Sequence, residues 1–470
     1  MQLISSLRKV AGFAVIMLAS LPVFAKTFSL TPLVSVEQIL TDNLSLQPDA
    51  NEDFASVTLV RPGVGLLVDG RYTQITGNYQ FDYYHFALTP RQDTRYQSGE
   101  LFFQRELLDK LFYIDAGANY RQAAVTDTGV QSGNLYSVPQ NIEDLLTARI
   151  EPYIQTTFTN DISLRTGVSA SEVQYIGSSA FDSTIQTMNA SLNNQRANNR
   201  FSFSADFNRV NVVTQSGLNS GFADINLSSG FAFWRPLRLM AELGQAAYIS
   251  SDDLGIIGGS IDKYAGVRLA YAPDNRLSAQ AGYQQRAYGE AVNIDVAYRI
   301  AQLSFSASYN TQIESNALRQ ANALTSQPDP QQMFSNALSQ AQLQTDFSLT
   351  KTMRASGMYN FGRASVSVGV DQSRRESQNG AVLLTRQALA SGQRNLSRSM
   401  SIQFRSQLTQ TTPTGGSRFW AADMGVDLNK TWSRSVTTLF GYQYQQRLDR
   451  LNPTTDYVAN ILRARINASF

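Results

Sequence analysis

The chain of 470 residues has no cysteine and one histidine, His85. A secreted protein without thiols is not held by disulfides and has no thiolate metal site. A single imidazole leaves no ligand set for zinc and only one base for histidine-type catalysis. Past the N-terminal region no apolar run is long enough for a membrane helix. An excess of one charge is lacking too, since 39 basic residues face 37 acidic ones. No basic tract is long enough to clamp phosphates, so nucleic acid is not an expected partner. There is no G-x-S-x-G elbow and no phosphate-binding glycine loop, and no cofactor is expected. The acidic doublets Glu143-Asp144 and Asp252-Asp253 lie in or beside polar stretches without a spaced acidic loop, and they read as solvated charge rather than a calcium site.

The N-terminus has the plan of a secretory signal. Arg8 and Lys9 precede an apolar run from Val10 to Phe24, and Val23 and Ala25 occupy the −3 and −1 places of a small-residue cleavage site. Cleavage is expected after Ala25, which divides the chain into a signal peptide, 1–25, and one domain, 26–470. Losing Arg8 and Lys9 takes the basic count from 39 to 37, equal to the 37 acidic residues.

What fills the domain is alternation. Leu303, Phe305, Ala307 and Tyr309 alternate with Ser304, Ser306, Ser308 and Asn310. Phe201, Phe203, Ala205 and Phe207 alternate with Ser202, Ser204, Asp206 and Asn208, and Val366, Val368 and Val370 with Ser365, Ser367 and Gly369. Period two gives strands with one apolar and one polar face. Short turn sequences such as Asp69-Gly70 and Ala272-Pro273-Asp274-Asn275 tend to alternate with longer polar stretches, among them 46–53, 123–142, 250–258 and 313–342. This is the plan of a transmembrane antiparallel β-barrel of the outer-membrane type, all-β, with about 20–22 strands. An even count places both termini on one side and favours 22, with 380–396 the weakest strand. A soluble sandwich or propeller also alternates, but its inner face would be richer in Leu, Ile and Val and its strands shorter. Here aromatic residues gather near strand ends, at Tyr83, Tyr84, Phe86, Trp234 and Trp432, as in interfacial girdles.

The final strand is the most specific single feature. Phe470, Ala468, Ile466, Ala464, Leu462 and Val458 share one face, and Ser469, Asn467, Arg465 and Arg463 the other. A terminal aromatic on such a strand is the expected handle for the outer-membrane assembly machinery. The residues expected to face the lumen are Arg354, Arg363, Asp371, Arg375, Arg463 and Arg465, where they either tune ion or sugar passage or pair across the lumen and fill it. The Gln- and Asn-rich stretch 313–342 is a surface loop or a constriction at the mouth.

Two stretches resemble a known family. SLTPLVSVEQILTDNLSL, with Thr41-Asp42-Asn43, and FSLTKTMRASGMYNFGRASVSVGVDQSRRE, residues 347–376, resemble outer-membrane proteins associated with the PEP-CTERM/exosortase system. The resemblance implies a barrel serving exopolysaccharide export, with outer-membrane lipid and the polysaccharide or its export apparatus as partners. It carries over no catalytic residue. A general or solute-specific porin is the alternative. A barrel enzyme acting on lipid or polysaccharide is a second alternative, one that the missing histidine constellation leaves without a base.

Overall fold

The computed structural model describes residues 25–48, 53–124, 137, 142–158, 161–176, 182–194, 200–215, 219–234, 236–250, 261–286, 289–315, 347–377, 380–416, 418–451 and 453–470. The expected signal peptide up to residue 24, the doublet Asp252-Asp253 and most of the stretch 313–342 lie outside them.

Twenty-two antiparallel strands run in chain order from β1 (Ala25–Thr41) to β22 (Tyr457–Ser469). Each pairs with its chain neighbours, and β1 pairs with β22 from Leu33↔Ser469 to Thr41↔Ile461, which closes the sheet into a barrel. Closure is what lets strands cross a bilayer, because it leaves no unpaired edge in the hydrocarbon. The weakest sequence expectation, 380–396, forms a full strand, β18 (Val382–Asn395).

The connections alternate. At one end they are tight, as in 71–72, 301–302 and 362–363. At the other they include 42–54, 125–141 and 316–346. β1 begins and β22 ends at the short-turn end, so that end is periplasmic and the opposite end extracellular. Gly362 makes one of the tight turns possible, with φ of +57°, a conformation that costs an L side chain strain.

One face of the strands is apolar and exposed. In β1 it carries Phe28, Leu30, Val34, Val36 and Leu40, and in β17 (Ala364–Ser377) it carries Val368 and Val370. Exposed apolar rows on a closed barrel are the lipid-facing belt, and the chain is an outer-membrane β-barrel. Aromatic residues edge the belt. A bulge between Ala232 and Trp234 turns Trp234 onto the row of Leu237, and Lys430 lies 3.7 Å from the ring of Trp432.

The Thr41-Asp42-Asn43 triplet clasps the seam of closure. The Asp42 carboxylate accepts the backbone N–H of Asn460 at 2.7 Å and its side-chain amide at 2.6 Å. The Asn43 amide donates to the carbonyls of Gln47 and Val458 at 2.7 and 2.9 Å. The triplet therefore has a structural reason to be where it is, at the top of the first strand beside the last. At the opposite end the N–H of Phe470 donates to the Pro32 carbonyl at 3.0 Å, while the residue is 78% exposed, at the parity of the outer row. Because little of the residue is packed, Phe470→Asp is expected to reduce the yield of heat-modifiable barrel in membranes far more than the stability of barrel already folded. Gel-shift after fractionation reads the first, and urea titration of refolded protein reads the second. Equal yields would remove the assembly role.

Candidate functional site: the lumen wall

The inner face is polar because the alternate residues of each strand are, and its charges are arranged as pairs between strands. Arg61 on β2 (Ala55–Gly70) donates to Asp82 on β3 (Thr73–Ala87) at 2.8 and 3.2 Å, with side chains 1% and 4% exposed. Arg465 donates to Glu37 at 2.6 Å across the closure. Asp427, on β20 (Phe419–Thr431), accepts from Arg463 at 2.7 Å and from Arg405 at 3.0 Å. Arg463 is two strands away from Asp427 and reaches it by passing over Gly441 on β21 (Val436–Asp449), where a Cβ would collide with the Asp427 carboxylate. Further round, Glu242 holds Arg268 at 2.6 Å and Gln284 at 2.5 Å, and Glu151 holds Arg165 of the next strand at 3.3 Å, with Arg149 of its own strand at 2.6 Å. These guanidinium groups are met by carboxylates, so this part of the wall offers fixed donors without a strong field of one sign.

The six residues read as lumen-facing separate into three groups. Arg463 and Arg465 are pairing residues of the wall near the closure. Arg354, on β16 (Phe347–Phe361), bonds Asp371 at 2.5 Å and remains 71% exposed, and both Arg354 and Arg375 border a lumenal pocket. Arg363 is corrected. It is exposed in the two-residue turn between β16 and β17 and not on a strand face, because the strand ends at Phe361 and the alternation ends with it.

The pocket, of about 440 Å³, is a crease on the inner side of the wall formed by β12 (Ile261–Tyr271) to β17. Arg268, Arg354 and Arg375 supply guanidinium groups, Gln280 and Asn310 amides, and Asp295 a carboxylate. Such a lining is matched to a ligand rich in hydroxyls, which donate and accept at once.

Above this polar zone the inner face turns apolar. Leu145, Val173, Tyr175, Ile185, Val210 and Val212 form a buried cluster near the extracellular end. Ile39, Val57, Leu59, Tyr84, Phe86 and Ile461 belong to a second one. Tyr84 and Phe86, expected in an interfacial girdle, are corrected by this: they are 0% and 6% exposed and face inward, while the aliphatic members were not anticipated although their signal is present. The polar row Ser202, Ser204, Asp206, Asn208 continues at the same parity into Val210 and Val212.

No catalytic constellation stands among the described residues, and no group of three His, Cys, Asp or Glu there could hold a metal. His85 lies on the outer row of β3 at the extracellular rim, 3.1 Å from Asp93. That carboxylate, held by the Tyr83 hydroxyl, by His85 and by the Phe86 N–H, is pulled down to about 2. Glu143 and Asp144 are neighbours on β6 (Ile142–Thr157) and so point to opposite faces. Gln122 donates to Asp144 at 2.7 Å.

No protein-family model and no curated protein matches the sequence. Solved structures do match the fold. The apo form of the FrpB iron transporter of Neisseria meningitidis is 10% identical, with 94% of this chain and 81% of that one covered at a TM-score of 0.57. A mutant of the ferric enterobactin receptor PfeA of Pseudomonas aeruginosa is 10% identical, covering 94% and 80% at 0.52. The siderophore receptor PirA of Acinetobacter baumannii is 8% identical, covering 93% and 80% at 0.51. At such identities the likeness is one of architecture, a closed antiparallel β-barrel.

Proposed function

We propose that the barrel is an export channel for a surface polysaccharide. The observation that carries this reading is the polar crease of about 440 Å³ in the lumen wall, lined by amides, hydroxyls and guanidinium groups. Sugar hydroxyls need donors and acceptors at short intervals and little apolar surface, and this lining supplies them. The resemblance of 29–46 and 347–376 to the PEP-CTERM/exosortase-associated barrels supports the same assignment. On this reading the partners are outer-membrane lipid, the assembly machinery and the polysaccharide with its export apparatus.

Planar-bilayer recordings test it. Oligosaccharides of the producing cell's own polymer, added from the periplasmic side, are expected to block the current transiently and in proportion to concentration. Asn310→Leu and Gln280→Leu are expected to shorten the blocks, since each removes an amide from the crease. In cells, loss of the barrel is expected to retain polymer in the periplasm. Currents indifferent to the oligosaccharides, and unchanged surface polymer, would overturn the reading.

A general porin is the second reading. It is favoured by one observation: the described residues hold no globular segment inside the barrel, whereas 22-stranded transporters have a plugged lumen. A porin would give currents proportional to salt and insensitive to polysaccharide.

A further inference from the structure

Most neighbouring strands pair along most of their length, and β14 (Gly289–Ile300) with β15 (Leu303–Ser315) is one of the pairs that part early. β14 pairs with β15 only from Ile294↔Tyr309 to Ile300↔Leu303. Above that level Gly289–Asn293 stays paired with β13 (Leu277–Arg286), and β15 stays paired with β16 up to Ser315↔Phe347. The two hairpins part company there. The Thr311 N–H bonds the Asn293 side chain at 3.3 Å in place of a strand neighbour.

Ile313 shows where the β15–β16 hairpin goes. By parity it belongs to the outer row of Leu303, Phe305, Ala307 and Tyr309. Yet it packs against inner-face residues, the pair Ala246 and Tyr264 and the cluster that includes Val210 and Val212. A strand continuing up the wall would hold Ile313 outside. The upper hairpin therefore leaves the wall and folds inward, with its outer side against the inner side of the wall around β11 (Leu237–Ser250) and β12.

The level of the break has a physical reason. Going up the outer rows, Met353 is followed by Lys351 and Val292 by Glu290, so the apolar belt ends there. Within hydrocarbon an unpaired edge is prohibitively costly, and above it water takes the freed groups. The wall can unzip only where it does.

We propose that the upper β15–β16 hairpin, residues 310–315 and 347–352, is a gate over the lumenal crease. In the closed state, which is the one seen, Ile313 rests on Ala246 and Tyr264. In the open state β15 zips onto β14 by continuing the existing register, Asn293↔Asn310, Val292↔Thr311, Ala291↔Gln312 and Glu290↔Ile313. Closing exchanges ladder hydrogen bonds for apolar burial, so the two states are discrete and close enough in free energy for occupancy of the crease to shift them. Asn293, Asn310, Gln312, Thr350 and Thr352 belong both to the crease and to the strands that part, which couples a ligand there to the gate. The gate rests on the export reading only for what passes. Its opening is measured with salt alone.

The cysteine-free chain makes the test clean. In the full-length protein, Ala246→Cys with Ile313→Cys, bridged by a reducible bis-methanethiosulfonate reagent, is expected to abolish open events in KCl, and reductant to restore them. Val292→Cys with Thr311→Cys, bridged likewise, is expected to hold the larger conductance continuously. Ile313→Ala needs no bridge and is expected to raise the open fraction about fivefold, because it removes the apolar anchor of the closed state. Bridging at 292 and 311 in every molecule with none between 246 and 313 in intact membranes overturns the proposal. So does bridging at both pairs with no change in current, or an unaltered open fraction in Ile313→Ala. Blocks by oligosaccharide, read separately in the same bilayers, decide the export reading whatever the gate does.

Discussion

Asp82→Ala is expected to lower the free energy of unfolding by about 3–5 kcal/mol, measured by urea titration of barrel refolded into lipid. The reason is the position of its partner. Arg61 is 1% exposed, and its charge sits where the wall excludes water. Removing the carboxylate leaves a buried guanidinium without its bidentate acceptor, and desolvation then outweighs whatever the remaining neighbours return. The double replacement Arg61→Met with Asp82→Leu removes both charges and is expected to fall near the parent, which separates the cost of an orphaned charge from the worth of the pair. By contrast, Asp371→Ala is expected to cost little, since Arg354 is 71% exposed and its pair is screened. Equal losses from Asp82→Ala and Asp371→Ala would mean that water reaches Arg61 freely.

Val368→Arg against Ser367→Arg is the second large effect expected. Val368 is 57% exposed on the outer row, level with Gly357, and Ser367 points inward to hydrogen bond Ser391 at 2.6 Å. An arginine on the lipid face near the midplane costs about 2–4 kcal/mol, because no water or partner meets it there. At 367 the same side chain enters a polar lumen and loses one hydroxyl hydrogen bond, worth about 1 kcal/mol. Folding yields into bilayers and urea midpoints of both variants check this. Equal damage would place β17 one residue out of register, since a slip of one exchanges the two faces completely.

The strands, their faces and their order were legible because barrel architecture is written in local pattern. Alternation in 201–208, 303–310 and 365–371 gives both the element and its orientation, and each of these segments lies on a strand with that orientation. The one displaced site residue, Arg363, failed at a strand end, where parity carries no information about where a turn begins. The crease was legible only in part. Arg354 and Arg375 could be placed on the polar face, but nothing near them in sequence brings Arg268, Gln280 and Asn293 to their side. Those neighbours follow from closure and register over β12 to β17.

The sequence alone determined an outer-membrane barrel with apolar faces outward and a terminal aromatic, because a period of two acts over a few residues and every strand repeats it. Only the tertiary structure decided which charges are matched, how Gly441 lets Arg463 reach Asp427, and where the wall parts above Tyr309. These depend on partners 17 to more than 400 residues apart, as in Arg354 with Asp371 and Arg465 with Glu37. Local alternation fixes the face a residue occupies, and register and curvature choose what it meets there.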